Sequence, residues 1–163
     1  MKCRQSARSG TCVSHLHFRC SNNPMREVIP HRLWLGNAVE ARRILPVTEL
    51  EIQAVIDLAM NEPPVQFPRE IVYCRFPLID GSGNDETTLR AAISAASQFL
   101  LGGTKLFVFC SAGMSRSVAI AAAAWALAEQ CSLEDALRTV ASEGPSDVSP
   151  GLWQDVTRVL SAE

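Results

Sequence analysis

A thiol, a glycine and a guanidinium fall within eight residues of this chain, as Cys110, Gly113 and Arg116 in the stretch "LFVFCSAGMSRSVAIAAAAWAL", residues 106–127. An apolar run ends at Cys110. Ser111, Ala112, Gly113, Met114 and Ser115 follow, and Arg116 and Ser117 then open an alanine-rich run. The pattern reads as a strand that turns through a small-residue loop into a helix. A helix start presents unpaired N–H groups and partial positive charge, so a tight loop there curls its amides into an anion cradle. Gly113 supplies the backbone freedom that such a curl requires. A helix N-terminus and a neighbouring cation favour the thiolate form of a cysteine, and Ser117 is placed to hydrogen-bond the sulfur. Arg116 can grip two oxygens of a phosphate with its planar fork. Residues 111–116 therefore form a candidate oxyanion site around a candidate nucleophile, Cys110. A buried core thiol would account for Cys110 alone, but not for Gly113 or for the adjoining Ser115, Arg116 and Ser117.

The elements that must position this loop are legible as alternating strands and helices. "RLWLGN" (32–37) reads as a strand closed by a Gly-Asn turn, and "AVEARRIL" (38–45) as a helix that stops at Pro46. "AVIDLA" (54–59) is a short buried strand, 61–68 a proline-rich loop, and "IVYCRFPL" (71–78) the next strand. A glycine-rich turn leads to a helix over 86–101, where Leu89, Ile93, Ala96 and Leu100 recur at helical spacing before Gly102 and Gly103. A strand at 105–109, the alanine-rich helix at 116–130, a helix capped by Ser132, and a last helix with Ser149 as N-cap and Pro150 at its first position complete the set. This alternation predicts an α/β fold with a central, mainly parallel sheet flanked by helices.

Composition excludes several functions. At 163 residues the chain has room for one well-buried domain. Its net charge of −2 and lack of a basic block give no electrostatic footing for nucleic acid. The longest apolar run, 118–127, is too short for a bilayer, so no membrane partner is expected. Residues 1–24 are polar, without periodicity or an apolar signal core, and read as a flexible leader to a domain over 25–163. Cys12, His15, His17 and Cys20 lie together in that leader, but not at the ligand spacing of compact zinc sites. The six cysteines show no disulfide framework, and a cytoplasmic setting is the expectation. Cys74 and Cys131 read as core thiols, with Cys74 a remote candidate for a redox partner of Cys110. Trp34, Trp125 and Trp153 read as core or interface anchors. Asp57, inside an apolar strand, needs buried partners; bonding to the signature loop is the expected job.

Cys110-x5-Arg116-Ser117 resembles the signature of cysteine-dependent protein phosphatases, and "CSAGMSRS" looks like the dual-specificity branch. "IPHRLWLGNAVEAR", "AVIDLA" and "VSPGLWQDV" are similar to that family's opening strand and helix, its next strand and its closing helix. The resemblance implies a protein-tyrosine-phosphatase-like fold and hydrolysis of phosphotyrosine and phosphoserine/threonine in proteins through a phosphocysteine. It implies Cys110 as nucleophile, with Arg116 and the amides of 111–116 holding the phosphoryl oxygens. Ser117 would stabilise the departing sulfur. Asp80, on the loop before the long helix, would be the general acid; Asp85 is the second candidate and also a natural helix cap. No metal or cofactor is implied, the partner is a phosphoprotein substrate, and a monomer is expected. One departure stands out: Phe109 occupies the position where the family usually has histidine. That substitution implies slower turnover at neutral pH, or a weakly active or inactive phosphoprotein-binding pseudophosphatase. The signature loop also lacks lysine and histidine, which leans away from inositol phospholipids.

Overall fold

A computed structural model describes residues 25–161. The leader and the possible ligands Cys12, His15, His17 and Cys20 lie outside the described residues. In chain order the elements are β1 (Arg26–Ile29), β2 (Leu33–Asn37), α1 (Ala38–Ala41), α2 (Ile44–Glu49), β3 (Ala54–Asp57) and β4 (Val72–Arg75). They continue with α3 (Glu86–Leu101), β5 (Leu106–Cys110), α4 (Arg116–Glu129), α5 (Leu133–Ala141) and α6 (Pro150–Ser161).

The five strands lie in the order β1-β2-β5-β3-β4. β2, β5, β3 and β4 are parallel, and only β1 pairs antiparallel, on the edge of β2. β5 is the middle strand, and its five residues are all buried. Alternation sends Leu106, Val108 and Cys110 to one face and Phe107 and Phe109 to the other. On the first face α4 is sandwiched between the sheet and α3, α5 and α6. Its run from Arg116 through Ala124 is buried on every side, as a helix apolar all round must be. Alanines permit that close approach, and an added isobutyl group there would cost about 1–3 kcal/mol in strain. The second face is covered by α1 and α2 and holds Trp34, Phe107 and Phe109, the two phenylalanine rings stacked at 5.6 Å.

The single helix expected over 38–45 is two short ones, and Pro46 does not end it. Asn37 starts α1 with a capping box: its side chain accepts from the amides of Val39 and Glu40, and Glu40 accepts from the Asn37 amide. Pro46 sits in the first turn of α2, where a missing N–H costs nothing, while its ring forbids a helix running on from Arg42. The strand expected over 71–78 is shorter, although the amides of Phe76 and Leu78 still bond to the carbonyls of Asp57 and Leu58. β1 had no sequence signal, being four residues long and ending at a turn where His31 takes φ 58.

Candidate active site

Because β2, β5 and β3 run parallel, their carboxyl ends lie side by side, with Asn37 opposite Cys110 and Asp57 opposite Phe109. Loops that follow them must meet at that edge, where open α/β sheets bind ligands. Cys110 ends β5 with 1% of its surface exposed. The Gly113 amide donates to its sulfur at 3.2 Å, and the Ser117 hydroxyl lies 3.5 Å away. Gly113 holds φ 76, and a Cβ there would meet the Gly36 carbonyl at 2.8 Å. Both its backbone conformation and the packing behind it demand glycine.

The loop is shaped from outside by its carbonyls. The Ser111 carbonyl accepts from the Ala38 amide at 3.4 Å and that of Met114 from the Asp147 amide at 2.9 Å. The Gly113 carbonyl accepts from Arg26 Nη2 at 3.3 Å. No peptide among the described residues is cis, and in a trans peptide the C=O and N–H point in opposite directions. Holding these three carbonyls outward therefore turns the amides of Ala112, Met114 and Ser115 inward. None of those amides has an acceptor among the described residues, so they are free for an oxyanion. Together with the start of α4 they build a concave field of donors.

Arg116 is 6% exposed and is held by protein oxygens from two other loops. Nη1 donates to the carbonyls of Leu58 at 3.4 Å and Leu78 at 3.1 Å, and Nη2 to Ser111 Oγ at 2.8 Å. Nε is buried without a hydrogen bond, its nearest opposite charge being Asp80 Oδ2 at 3.8 Å. Glu62, on the loop after β3, joins this cluster: the nearby Ser111 hydroxyl, then the amides of residues 61 and 62, and last the positive field of Arg116 hold its carboxyl below the usual range.

Asp80 accepts a hydrogen bond from Ser115 Oγ at 2.5 Å, and the same oxygen accepts from the Ser149 amide at 3.1 Å. Ser115 is the N-cap of α4 but makes no side-chain cap bond; its hydroxyl links Asp80, the signature loop and α6. The loop that carries Asp80 is closed by Asn84, which pairs with both the amide and carbonyl of Ile79 and donates to the Gly81 carbonyl. Asp155 of α6 anchors it by accepting the amides of Gly83 at 2.9 Å and Asn84 at 3.2 Å. Gly151 lies under this loop so closely that a Cβ would stand 2.7 Å from the Ser82 amide. Asp85 is occupied elsewhere: it caps α3 through the Thr88 amide and hydroxyl, and these bonds lower its pKa.

The family model described as "Dual specificity phosphatase, catalytic domain" matches residues 33–157. The chain belongs to this family. It is a dual-specificity protein phosphatase, with the mainly parallel five-stranded sheet of that fold. Among solved structures, human DUSP28 is 25% identical at a TM-score of 0.74, covering 85% of this chain and 94% of its own. DUSP15 is 25% identical at a TM-score of 0.69, with 83% and 86% covered. The human tyrosine phosphatase-like serine/threonine/tyrosine-interacting protein shares the fold at 19% identity, a TM-score of 0.74 and coverages of 86% and 97%. A comparison with curated protein sequences found no match.

The structure thus brings Cys110, Gly113, Ser115, Arg116, Ser117 and Asp80 of the phosphatase together, with Ala112 and Met114 exposed on the loop. Other expectations are corrected. Asp57 does not bond to the signature loop. It accepts from the Ala59 amide and the Tyr73 hydroxyl and faces Arg75. Cys131 is exposed rather than in the core. Cys74 is partly buried, and β3 lies between its strand and that of Cys110. Two strand spacings amount to about 9–10 Å, beyond the Cα separation a disulfide spans. The tryptophans are core anchors as expected: Trp34 is buried, and Trp125 and Trp153 are partly buried against the core, with Arg32 over the Trp125 ring. Sequence reasoning missed Arg26, Glu62 and Asp155, whose partners come from distant segments and leave no local spacing to detect.

Proposed function

We propose that this phosphatase hydrolyses phosphotyrosine and phosphoserine/threonine in proteins through a phosphocysteine at Cys110. The observation that carries the reading is the Cys110 sulfur beside inward-turned loop amides, with Asp80 tied across Ser115 to the same loop. The thiolate attacks phosphorus in line while the P–O bond to the leaving group breaks. Asp80, as the acid, gives its proton to that oxygen. Water then attacks the phosphocysteine, Asp80 takes a proton from it, and the P–S bond breaks, with the Ser117 hydroxyl turning to donate to the departing sulfur. Arg116 and the amides of residues 111–116 hold the phosphoryl oxygens through both steps. Their work is placement of positive field, where one well-aimed donor is worth about 10²–10³ in rate. General acid catalysis adds about 10²–10⁴.

Turnover of p-nitrophenyl phosphate and of phosphopeptides, blocked by vanadate and abolished in Cys110→Ser, is the expected result. Rapid quenching of Ser117→Ala with labelled substrate should trap a phosphorylated cysteine. Undiminished hydrolysis by Cys110→Ser would refute the nucleophile. A second reading, a pseudophosphatase that binds phosphoproteins, draws on Phe109 alone, which brings no charge or hydrogen bond to the loop. Phosphopeptide binding by the wild-type protein without turnover would establish that reading instead.

A further inference from the structure

We propose that Arg26, on the antiparallel edge strand β1, is a positioning residue of the signature loop. Its guanidinium holds the Gly113 carbonyl from behind and so aims the Met114 amide at the bound oxyanion. The inference rests on the loop being an oxyanion cradle and goes beyond it by adding a part that lies outside the signature.

Of the three carbonyls that shape the loop, two are held by backbone amides, those of Ala38 and Asp147. The third, that of Gly113, is held by a side chain 87 residues away. The peptide it controls is the one between Gly113 and Met114, whose N–H points the opposite way and has no acceptor among the described residues. The other arm of the guanidinium, Nη1, donates to the Pro145 carbonyl at 2.5 Å. A planar fork bonded at both arms is fixed in orientation in a way an ammonium would not be. The path of the side chain is also shaped for it. Gly144 takes φ 151, and a Cβ there would lie 2.9 Å from Arg26 Nη1 and 3.0 Å from Cδ.

The electrostatics agree with the geometry. Burial pushes the Arg26 pKa down, and the nearby Glu40 carboxylate and then the Cys110 sulfur oppose that change. Arg26 therefore adds a second positive charge near the nucleophile, on a loop whose preceding residue, Phe109, adds none. A cavity of about 260 Å³ lies at this place, bordered by Arg26, Asn37, Glu40, Gly113, Met114 and Pro145. Arg116 is not among its lining residues, so the two guanidiniums reach the loop from different sides.

The test compares Arg26→Met and Arg26→Lys with the wild-type chain in three measurements: tungstate affinity by calorimetry, kcat/KM on p-nitrophenyl phosphate, and Tm. The expected result is a parallel loss of tungstate affinity and kcat/KM of about ten- to a hundredfold in Arg26→Met, the range for outer partners that orient a binding group. Arg26→Lys should keep the charge without the fork and fall between, and added methylguanidine should restore part of the Arg26→Met loss. A folded Arg26→Met that loses Tm but keeps both tungstate affinity and kcat/KM would reduce Arg26 to a structural tie and overturn the proposal. Should that variant fail to fold, unchanged tungstate affinity in Arg26→Lys alongside a lowered Tm overturns it equally. Wild-type protein that binds tungstate without turnover refutes hydrolysis but leaves the affinity comparison to decide on Arg26. Wild-type protein that binds no tungstate refutes the cradle and this proposal with it.

Discussion

Asp80 and Asp85 sit five residues apart in one loop and have different surroundings, which separates them as acid candidates. Asp85 spends its carboxylate on the first turn of α3, whereas Asp80 faces Ser115 and Arg116. Asp80→Asn should lower kcat by about 10²–10⁴ on alkyl and unactivated aryl phosphates. It should spare substrates whose leaving group needs no proton, a contrast that a leaving-group series measures directly. Ser115→Ala removes the hydroxyl between Asp80 and the Ser149 amide without altering the Asp80 side chain. A smaller loss in the same series is expected from it. Phe109 is 1% exposed and stacked on Phe107 among apolar neighbours. Phe109→His therefore buries an imidazole without an evident partner and should cost about 2 kcal/mol or more of stability, read as a lower urea midpoint.

Different elements fix the two halves of the site, and Ser115 ties them together. The signature loop depends on glycine at position 113: Gly113→Ala imposes about 1–2 kcal/mol of left-handed strain and drives a methyl into the Gly36 carbonyl. Both stability and oxyanion affinity should fall in that variant. The Asp80 loop hangs instead from α6, through Asp155 and the close pass of Gly151 over Ser82. Asp155→Ala should lower kcat while leaving tungstate affinity near the wild-type value, because it displaces Asp80 and not the cradle. Equal losses in both quantities would contradict that division. Asn84 and Asp155 fasten the loop that carries Asp80; Asn84 is local to it, and Asp155 lies too far along the chain to show in a local pattern.

At the scale of the molecule, strand and helix order was legible because burial on both faces of a parallel sheet leaves uninterrupted apolar runs such as "LFVFC" and "AVID". The signature residues were legible because they are contiguous. What escaped was β1, too short to carry periodicity, the split at Pro46, and every contact between remote segments, of which Arg26 to Gly113 is the clearest. Tyr73, on the outer strand β4, gives a titration of the whole fold, since it is the only tyrosine in the chain. Burial, and then its bond to Asp57, push its pKa up to about 12 from 10.0. The folded state thus holds this proton more tightly than the unfolded one. The resulting stability is complete below about pH 10, where the unfolded phenol begins to ionise, and is lost as pH rises toward 12. Absorbance at the phenolate band should show a single late titration that moves down in Asp57→Asn. The outward tethers of the signature loop arrive from β1, from the start of α1 and from the segment before α6. A chain that lacks any one of these segments leaves a loop carbonyl unheld, so the donors converge only after the last pieces have docked, and a fragment without them is expected to bind no tungstate.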